Sequence, residues 1–363
     1  RDVAPSRGLG DVYKRQAELV DCVGHDDLMV LMFTSGTTGR SKAVMLSERN
    51  FFTTVECQVK FGDAMLDYKH KHMPEDKNDV LSNFAILPLF HLGTFICLFV
   101  WACKGWALNL SADIRDFYRD LGLMHSDAIA VAPMLMEAIY KDVKRGRRAR
   151  LNGIWNPCGS SAMFDGAMLA ELAQQGMMIT QVYGMTETCG DGIINYEQDE
   201  KHIRAVGKPD DHAEYKLDET GEICIRGGCV MLGYYKDPEA TAEVLDADGW
   251  FHTGDLARVD EDGFYYITGR KKNIIILDNG ENVSPEELEN LLSKCEAVKE
   301  CIVREKGKKI CAVIYCGEAD QQTVRDFITE TNRTLPLYKR MSAVEFSTCL
   351  LYTSPSPRDG ATS

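Results

Sequence analysis

The chain is 363 residues long, 45% hydrophobic and 26% charged, with a formal net charge of -14 at pH 7. That length provides for about two domains with a large core, and the composition is that of an ordinary globular protein. The acidic balance argues against a nucleic-acid partner and against general attraction to anionic membranes, so a polyanionic ligand has to be held by local groups.

The two ends read as foreign. Codons that can encode Val12-Tyr13-Lys14-Arg15-Gln16, read from the opposite strand and shifted by one base, encode Cys-Leu-Leu-Tyr-Thr, the run from Cys349 to Thr353. Residues 1–16 and 349–363 therefore read as one DNA adapter translated from its two strands and are set aside from fold reasoning. The natural protein is expected to extend further on both sides.

Residues 28–33 form a short apolar run with the pattern of a buried strand. It feeds Thr34-Ser35-Gly36-Thr37-Thr38-Gly39-Arg40-Ser41-Lys42. Gly36 and Gly39 let the backbone come close and turn its N–H groups inward. The hydroxyls of Thr34, Ser35, Thr37 and Thr38 add donors and Lys42 adds positive charge, the ingredients of a phosphate cradle. A Walker A loop has four residues between its first glycine and Gly-Lys-[Ser/Thr]; here two residues separate the glycines and Lys42 follows Ser41. Ser47 is placed to cap a helix beginning at Glu48. The polar stretch 68–79, with His70 and His72, reads as a solvated loop, because a metal site there would need further ligands nearby.

Residues 84–103 are apolar for about the length of a membrane span. Pro88, His91 and Gly93 interrupt the run and basic flanks are missing, so a buried strand and a helix on either side of Pro88-Leu89-Phe90-His91 are expected. A strand at 128–132, a helix at 134–143 and a basic turn at 144–150 follow. A strand at 154–158 runs into Gly159-Ser160-Ser161-Ala162, and after a helix at 165–175 a strand at 177–182 ends in Tyr183-Gly184-Met185-Thr186-Glu187-Thr188. Alternating strands and helices predict a largely parallel α/β sheet, with ligands at the C-terminal ends of strands, where these polar motifs fall.

From Gly221 the texture changes to short strands: 222–226, then a hairpin with Asp260-Glu261-Asp262-Gly263 turning between 256–259 and 264–268. A small α+β unit follows. It has a strand at 274–277 and a helix opened by Ser284 as N-cap, Pro285 and a capping-box glutamate, with Leu288, Leu291 and Leu292 on its buried face. A strand at 310–316 and a helix marked by Val324, Phe327 and Ile328 complete it. The 13 cysteines include no Cys-x-x-Cys pair and read as reduced, mostly buried thiols of a cytoplasmic protein.

Taken in order, five motifs resemble those of the adenylate-forming superfamily, which includes acyl-CoA synthetases, luciferase and the adenylation domains of peptide synthetases. They are Thr34 to Lys42, Tyr183 to Glu187, Gly233-Tyr234-Tyr235, Gly249-Trp250-Phe251-His252-Thr253-Gly254-Asp255 and Gly269-Arg270-Lys271-Lys272, and the match covers residues 27–346. The resemblance implies an N-terminally truncated adenylation domain over 17–270, with parallel sheets flanked by helices and a small β-structured subdomain, followed by an incomplete small α+β C-terminal domain over 271–348.

It also implies a chemistry. A carboxylate attacks the α-phosphate of ATP to give an acyl-adenylate and pyrophosphate, and the thiol of coenzyme A then displaces AMP. On that resemblance the loop from Thr34 to Lys42, with Gly159, Ser160 and Gly184, belongs to the nucleotide site. Glu187 holds Mg²⁺, Tyr183 lies against adenine and Thr186 bonds the α-phosphate region. Asp255 accepts the ribose hydroxyls, Arg270 reaches ribose or phosphate, His91 stands at the acyl pocket and Lys272 is the hinge. Lys42, Thr186, Glu187 and His91 form the expected catalytic group.

The run 269–287 looks most like long-chain fatty acyl-CoA synthetases, so the expected parent activity is ATP- and Mg²⁺-dependent fatty acid–CoA ligation. An adenylation domain that loads an amino or aryl acid onto a carrier protein, and a non-catalytic nucleotide-binding homologue, stay open, as do acyl chain length, oligomeric state and peripheral membrane contact. No transmembrane segment is expected. The family's final Gly-Lys motif should follow Phe346, where the adapter begins instead, so the chain itself is expected to adenylate poorly.

Overall fold

The computed structural model describes residues 24–34, 41–111, 113–160, 164–190, 192–277, 281–307 and 309–348. The expected adapters, the loop residues Ser35, Gly36, Thr37, Thr38 and Gly39, and the side chain of Ser160 lie outside the described part.

A six-stranded sheet occupies the centre, in the order Ala107–Leu110, Ser82–Ala85, Ala128–Val131, Asn156–Ser160, Thr180–Gly184, Gly192–Asn195. Its pairs are parallel except the last, which is antiparallel. Alternation of side chains sends neighbouring residues of a strand to opposite faces of the sheet, and both faces are covered. Ala128 and Met178 enter one core with Val55, Met65, Ile96 and Trp101. Their neighbours Ile129, Met177 and Ile179 enter a second core with Leu135, Ile139 and Leu169. Helices Glu48–His72 and Leu92–Lys104 cover the first face; Phe117–Leu123, Pro133–Lys144 and Gly166–Gln174 cover the second. This is the expected parallel α/β layer, and segment 84–103 divides as expected into strand and helix. No described helix is long and apolar enough to cross a membrane.

Three expectations fail locally, the third of them in the C-terminal unit. Strand Leu28–Thr34 is not buried in the parallel sheet but lies at the edge of a separate antiparallel one, beside Lys42–Ser47 and then Gly233–Tyr234. Leu28, Met29 and Phe33 are exposed while Met32 is buried, as befits an edge strand covered on one face. Residues 68–72, read as loop, instead extend the helix Glu48–His72. The helix is long because both ends are satisfied. Asn50 N–H donates to Ser47 Oγ at 3.3 Å and Ser47 N–H to Asn50 Oδ1 at 2.8 Å, and Lys69, His70, Lys71 and His72 fill the last turn, where the helix dipole favours cations.

A second antiparallel sheet, ordered Tyr265–Arg270, Phe251–Val259, Glu222–Gly227, Ala213–Leu217, packs on its own core of Ile193, Ile223, Ile225, Ala257 and Tyr265. In the C-terminal unit Lys309–Tyr315 pairs antiparallel with Glu300–Lys306 and parallel with Ala343–Ser347. Helices Pro285–Leu292 and Gln321–Thr334 close its core. Ser284 Oγ accepts from Glu287 N–H at 3.4 Å, yet the expected capping box does not form. The Glu287 carboxylate pairs with Lys339 at 2.6 Å instead, a tertiary ion pair displacing the local bond.

Candidate active site

The loop strands supply the first part of the site. Thr34 and Lys42 are directly paired across the hairpin, so the two ends of the hydroxyl-rich loop are held together. Gly233–Tyr234 pairs on the other side of Lys42–Ser47, with Tyr234 opposite Val44. Register therefore lays the Tyr234 ring beside Lys42, whose Nζ lies 4.4 Å from the ring centroid, a cation–π contact. The Tyr234 hydroxyl donates to Glu187 Oε1 at 2.9 Å. Burial and the Glu187 charge push the Tyr234 pKa well up, so the phenol stays a donor. Glu187 sits in the short 3-10 turn Thr186–Thr188, and its carbonyl accepts from Met231 N–H at 2.9 Å. The loop lysine and this carboxylate thus flank one tyrosine.

The second part lies on the antiparallel sheet. Asp255 and Arg270 face one another across strands Phe251–Val259 and Tyr265–Arg270. Arg270 Nε is 2.6 Å from Asp255 Oδ1, and the Tyr183 hydroxyl donates to Asp255 Oδ2 at 3.0 Å. Burial raises the Asp255 pKa, opposed by the Arg270 charge and the Tyr183 hydrogen bond. The segment from Tyr183 to Glu187 therefore spans the site, touching Asp255 at one end and Tyr234 at the other.

Sequence reasoning missed a brace beneath this pair. Glu222, 4% exposed, accepts from Gly254 N–H at 2.7 Å through Oε1 and pairs with Lys271 at 2.7 Å through Oε2. It ties the residue before Asp255 to the residue after Arg270. Asp218 adds a weaker contact to Lys271 at 3.5 Å. The available signal was a glutamate inside an otherwise apolar stretch, Glu222-Ile223-Cys224-Ile225. At Gly269, φ is +155° and an added Cβ would meet Ser284 Oγ at 2.3 Å, so only glycine allows the C-terminal unit to approach so closely. Lys272, the expected hinge, is exposed in the turn Lys271–Asn273 just beyond.

The remaining expected residues lie around this frame. Gly159 and Ser160 end a central strand, with Gly159 opposite Val131 and Ser160 opposite Val182, and Gly184 ends the next strand. Thr186 opens the turn that carries Glu187. His91 is exposed at the N-cap of Leu92–Lys104. Leu92 lies 3.7 Å from where a Cβ on Gly190 would be, which brings the start of this helix beside the end of the Glu187 turn. Between helices Glu48–His72 and Leu92–Lys104 and the central sheet lies a mostly apolar cavity with about 70 Å³ of free space, bounded by Trp101 and Trp106 among others.

A parallel α/β layer, an antiparallel subdomain and a small α+β unit make up the fold of the adenylate-forming class. The chain belongs to the AMP-binding enzyme family, whose description matches residues 4–235. Over 340 residues it is 30% identical to a long-chain-fatty-acid–CoA ligase of Salmonella typhimurium, covering 88% of this chain and 58% of the relative. Identity is 29% to 4-coumarate–CoA ligase 3 of rice, over 89% of this chain and 61% of that protein. The chain thus spans about three fifths of the length of these relatives. Its fold is shared with o-succinylbenzoate coenzyme A synthetase of Bacillus subtilis, solved with ATP and a magnesium ion, at a TM-score of 0.73 and 24% identity, over 93% of this chain and 70% of the other.

Proposed function

We propose that the protein to which this chain belongs activates a carboxylic acid with ATP as an acyl-adenylate and transfers the acyl group to coenzyme A, with a long-chain fatty acid as the acid. The observation that carries the reading is the span of the segment from Tyr183 to Glu187 between the Asp255–Arg270 pair and the Tyr234–Lys42 pair. A nucleoside triphosphate presents adenine, ribose diol and phosphates in that sequence. The preference for a fatty acid is supported by the name of the Salmonella relative and by the apolar cavity.

In this reading Asp255, whose desolvation is opposed by the Arg270 charge, accepts the ribose hydroxyls. Tyr183 lies against the base, Thr186 bonds the α-phosphate region, and Lys42 and the loop that it ends receive the β- and γ-phosphates. Gly159, Ser160 and Gly184 leave room for the nucleotide, His91 stands at the acid entrance and Lys272 is the pivot. The donor set suits Mg²⁺: a single carboxylate, Glu187, whose second oxygen has no partner among the described residues, matches the habit of this ion of binding one carboxylate and substrate phosphates. That ion would neutralise charge on the phosphates. The domains are read as 17–270 and 271–348 and the location as cytoplasmic.

Titration calorimetry of the 363-residue chain with ATP, with and without Mg²⁺, tests the core of this reading. Saturable binding strengthened by Mg²⁺ is expected; absence of nucleotide binding would sink it. Pyrophosphate release across acids of different chain length tests the fatty-acid assignment, which fails if only amino or aryl acids respond.

A further inference from the structure

Three side chains without a part in the nucleotide site meet from two distant stretches of chain. Cys57 lies on helix Glu48–His72; Asp210 and His212 lie just before strand Ala213–Leu217 of the antiparallel sheet. The Cys57 thiol donates to Asp210 Oδ2 at 3.0 Å across 153 residues of sequence, and His212 Nδ1 is 2.8 Å from the same oxygen. The turn aims that oxygen. The His212 backbone N–H donates to Asp210 Oδ1 at 2.9 Å, which leaves Oδ2 to the thiol and the imidazole. Sulfur, oxygen and nitrogen all lie within 4.8 Å of one another.

His212 is the decisive one. Its side chain is 10% exposed, and Nδ1 makes no hydrogen bond to any described residue although Asp210 Oδ2 is so near. A nitrogen and an oxygen that approach without an aligned proton stand as two ligands of one cation do, and a buried polar atom is seldom left without a partner. Cys57 is buried, while Asp210 keeps 32% of its side chain exposed, so an ion has a way in. Two other clusters of possible metal ligands among the described residues, Asp218–Cys224–His252 and His202–Asp260–Asp262, already have a lysine on one carboxylate, Lys271 and Lys201 respectively. Here Lys60 goes instead to Asp211 at 2.6 Å, which is not one of the three.

We infer that Cys57, Asp210 and His212 bind a zinc ion. Thiolate, imidazole and carboxylate together suit this borderline-soft cation and not Mg²⁺, which takes oxygen ligands. The ion needs no cavity. It takes the place of the thiol proton between Sγ and Oδ2, and that proton passes to water as the zinc–sulfur bond forms. With zinc–ligand distances of about 2.0–2.3 Å, tetrahedral ligands stand about 3.3–3.6 Å apart, so the contacts of 3.0 and 2.8 Å open by about half an ångström. The partly exposed aspartate can make that movement, and water fills the fourth position. Bound there, the ion ties helix Glu48–His72 to the antiparallel sheet, beside a joint in which Asn50 Nδ2 donates to the carbonyls of Gly228 and Val230 at 2.7 and 2.8 Å. Its binding adds to the stability of the fold.

Co²⁺ serves as the spectroscopic probe, titrated into the reduced 363-residue chain. A thiolate bound to cobalt gives a charge-transfer band that oxygen ligands such as Glu187 do not give. The band should appear in the wild-type chain, be bleached by added Zn²⁺, vanish in Cys57→Ser and weaken in His212→Gln, with far-ultraviolet circular dichroism showing that each variant is folded. Absence of the band from the wild-type chain overturns the inference. So does an unchanged band in either folded variant, because other ligands then hold the metal. If neither variant folds, X-ray absorption at the zinc edge of the zinc-loaded wild-type chain decides the matter. One sulfur among nitrogen and oxygen neighbours is expected, and two or more sulfurs, or none, overturn the assignment.

Discussion

The two ends of the site are built differently. At the Asp255 end, a buried carboxylate is engaged by a guanidinium at 2.6 Å and a phenol at 3.0 Å, and Glu222 clamps the strands beneath it. At the Glu187 end, a carboxylate has one side-chain hydrogen bond among the described residues, from Tyr234, and the nearby lysine has a ring face. The first arrangement is rigid before any ligand arrives; the second leaves charged atoms free for new partners. The contrast follows from what each end would receive. Neutral ribose hydroxyls add little energy unless their acceptor is already aimed, whereas phosphates and a divalent cation bring enough charge to organise their own surroundings.

The largest expected effect breaks the rigid end. On the proposed reading, Asp255→Ala removes the acceptor for two hydroxyls, each charge-assisted bond contributing about 1.5–3 kcal/mol. ATP affinity should fall about a hundredfold or more by calorimetry, and a change below about fivefold would remove Asp255 from the nucleotide site. Next comes the brace. Glu222→Ala leaves the Gly254 N–H without its acceptor and Lys271 without its main counter-ion, a loss of about 3 kcal/mol. Urea denaturation should register it, and ATP affinity should drop as well because Asp255 and Arg270 lose their alignment. Loss of stability with unchanged affinity would reduce Glu222 to a fold residue.

How far these parts were legible in the sequence follows the same division. The central sheet could be read because burial on both faces leaves apolar runs, as from Ala128 to Val131, and the residues of the two ends could be read because they sit in motifs. The brace could not. Lys271 meets Glu222 across 49 residues of chain, and a glutamate in a short strand ordinarily reads as a solvent-facing position. The role of Tyr234 was hidden for the same reason: its motif was visible, but its hydroxyl finds Glu187 at a separation of 47 residues. The strand 28–33 was read as buried because an apolar run alone does not say where in a sheet it lies; pairing with Lys42–Ser47 places it at an edge.

A smaller effect tests the edge of the brace by pH. Burial raises the Asp218 pKa, but hydrogen bonds from the Thr220 hydroxyl and from the backbone N–H groups of Glu222 and Thr220, with the Lys271 charge, outweigh it and hold the carboxyl at about 2. A carboxyl whose folded value lies below its ordinary 3.8 stabilises the fold above that ordinary value and ceases to as pH falls toward the folded one. Asp218→Asn should therefore cost about 2 kcal/mol near neutral pH, with the difference from wild type shrinking between about pH 4 and pH 2. A difference independent of pH would assign the loss to the amide's altered hydrogen bonding instead of to charge.

The smallest expected effect probes the adaptable end. Tyr234→Phe deletes the hydroxyl that holds Glu187 but keeps the ring face under Lys42, so it isolates one hydrogen bond of about 1 kcal/mol. If that end is organised by its ligands, the loss should surface in the apo protein, as a slightly lower unfolding free energy, and should nearly disappear when Mg²⁺ and ATP are bound, because Glu187 then has another partner. Melting temperatures with and without Mg²⁺ and ATP separate the cases. A variant whose deficit grows on binding would mean that Tyr234 aims Glu187 as firmly as Arg270 aims Asp255, and the two ends would then be alike.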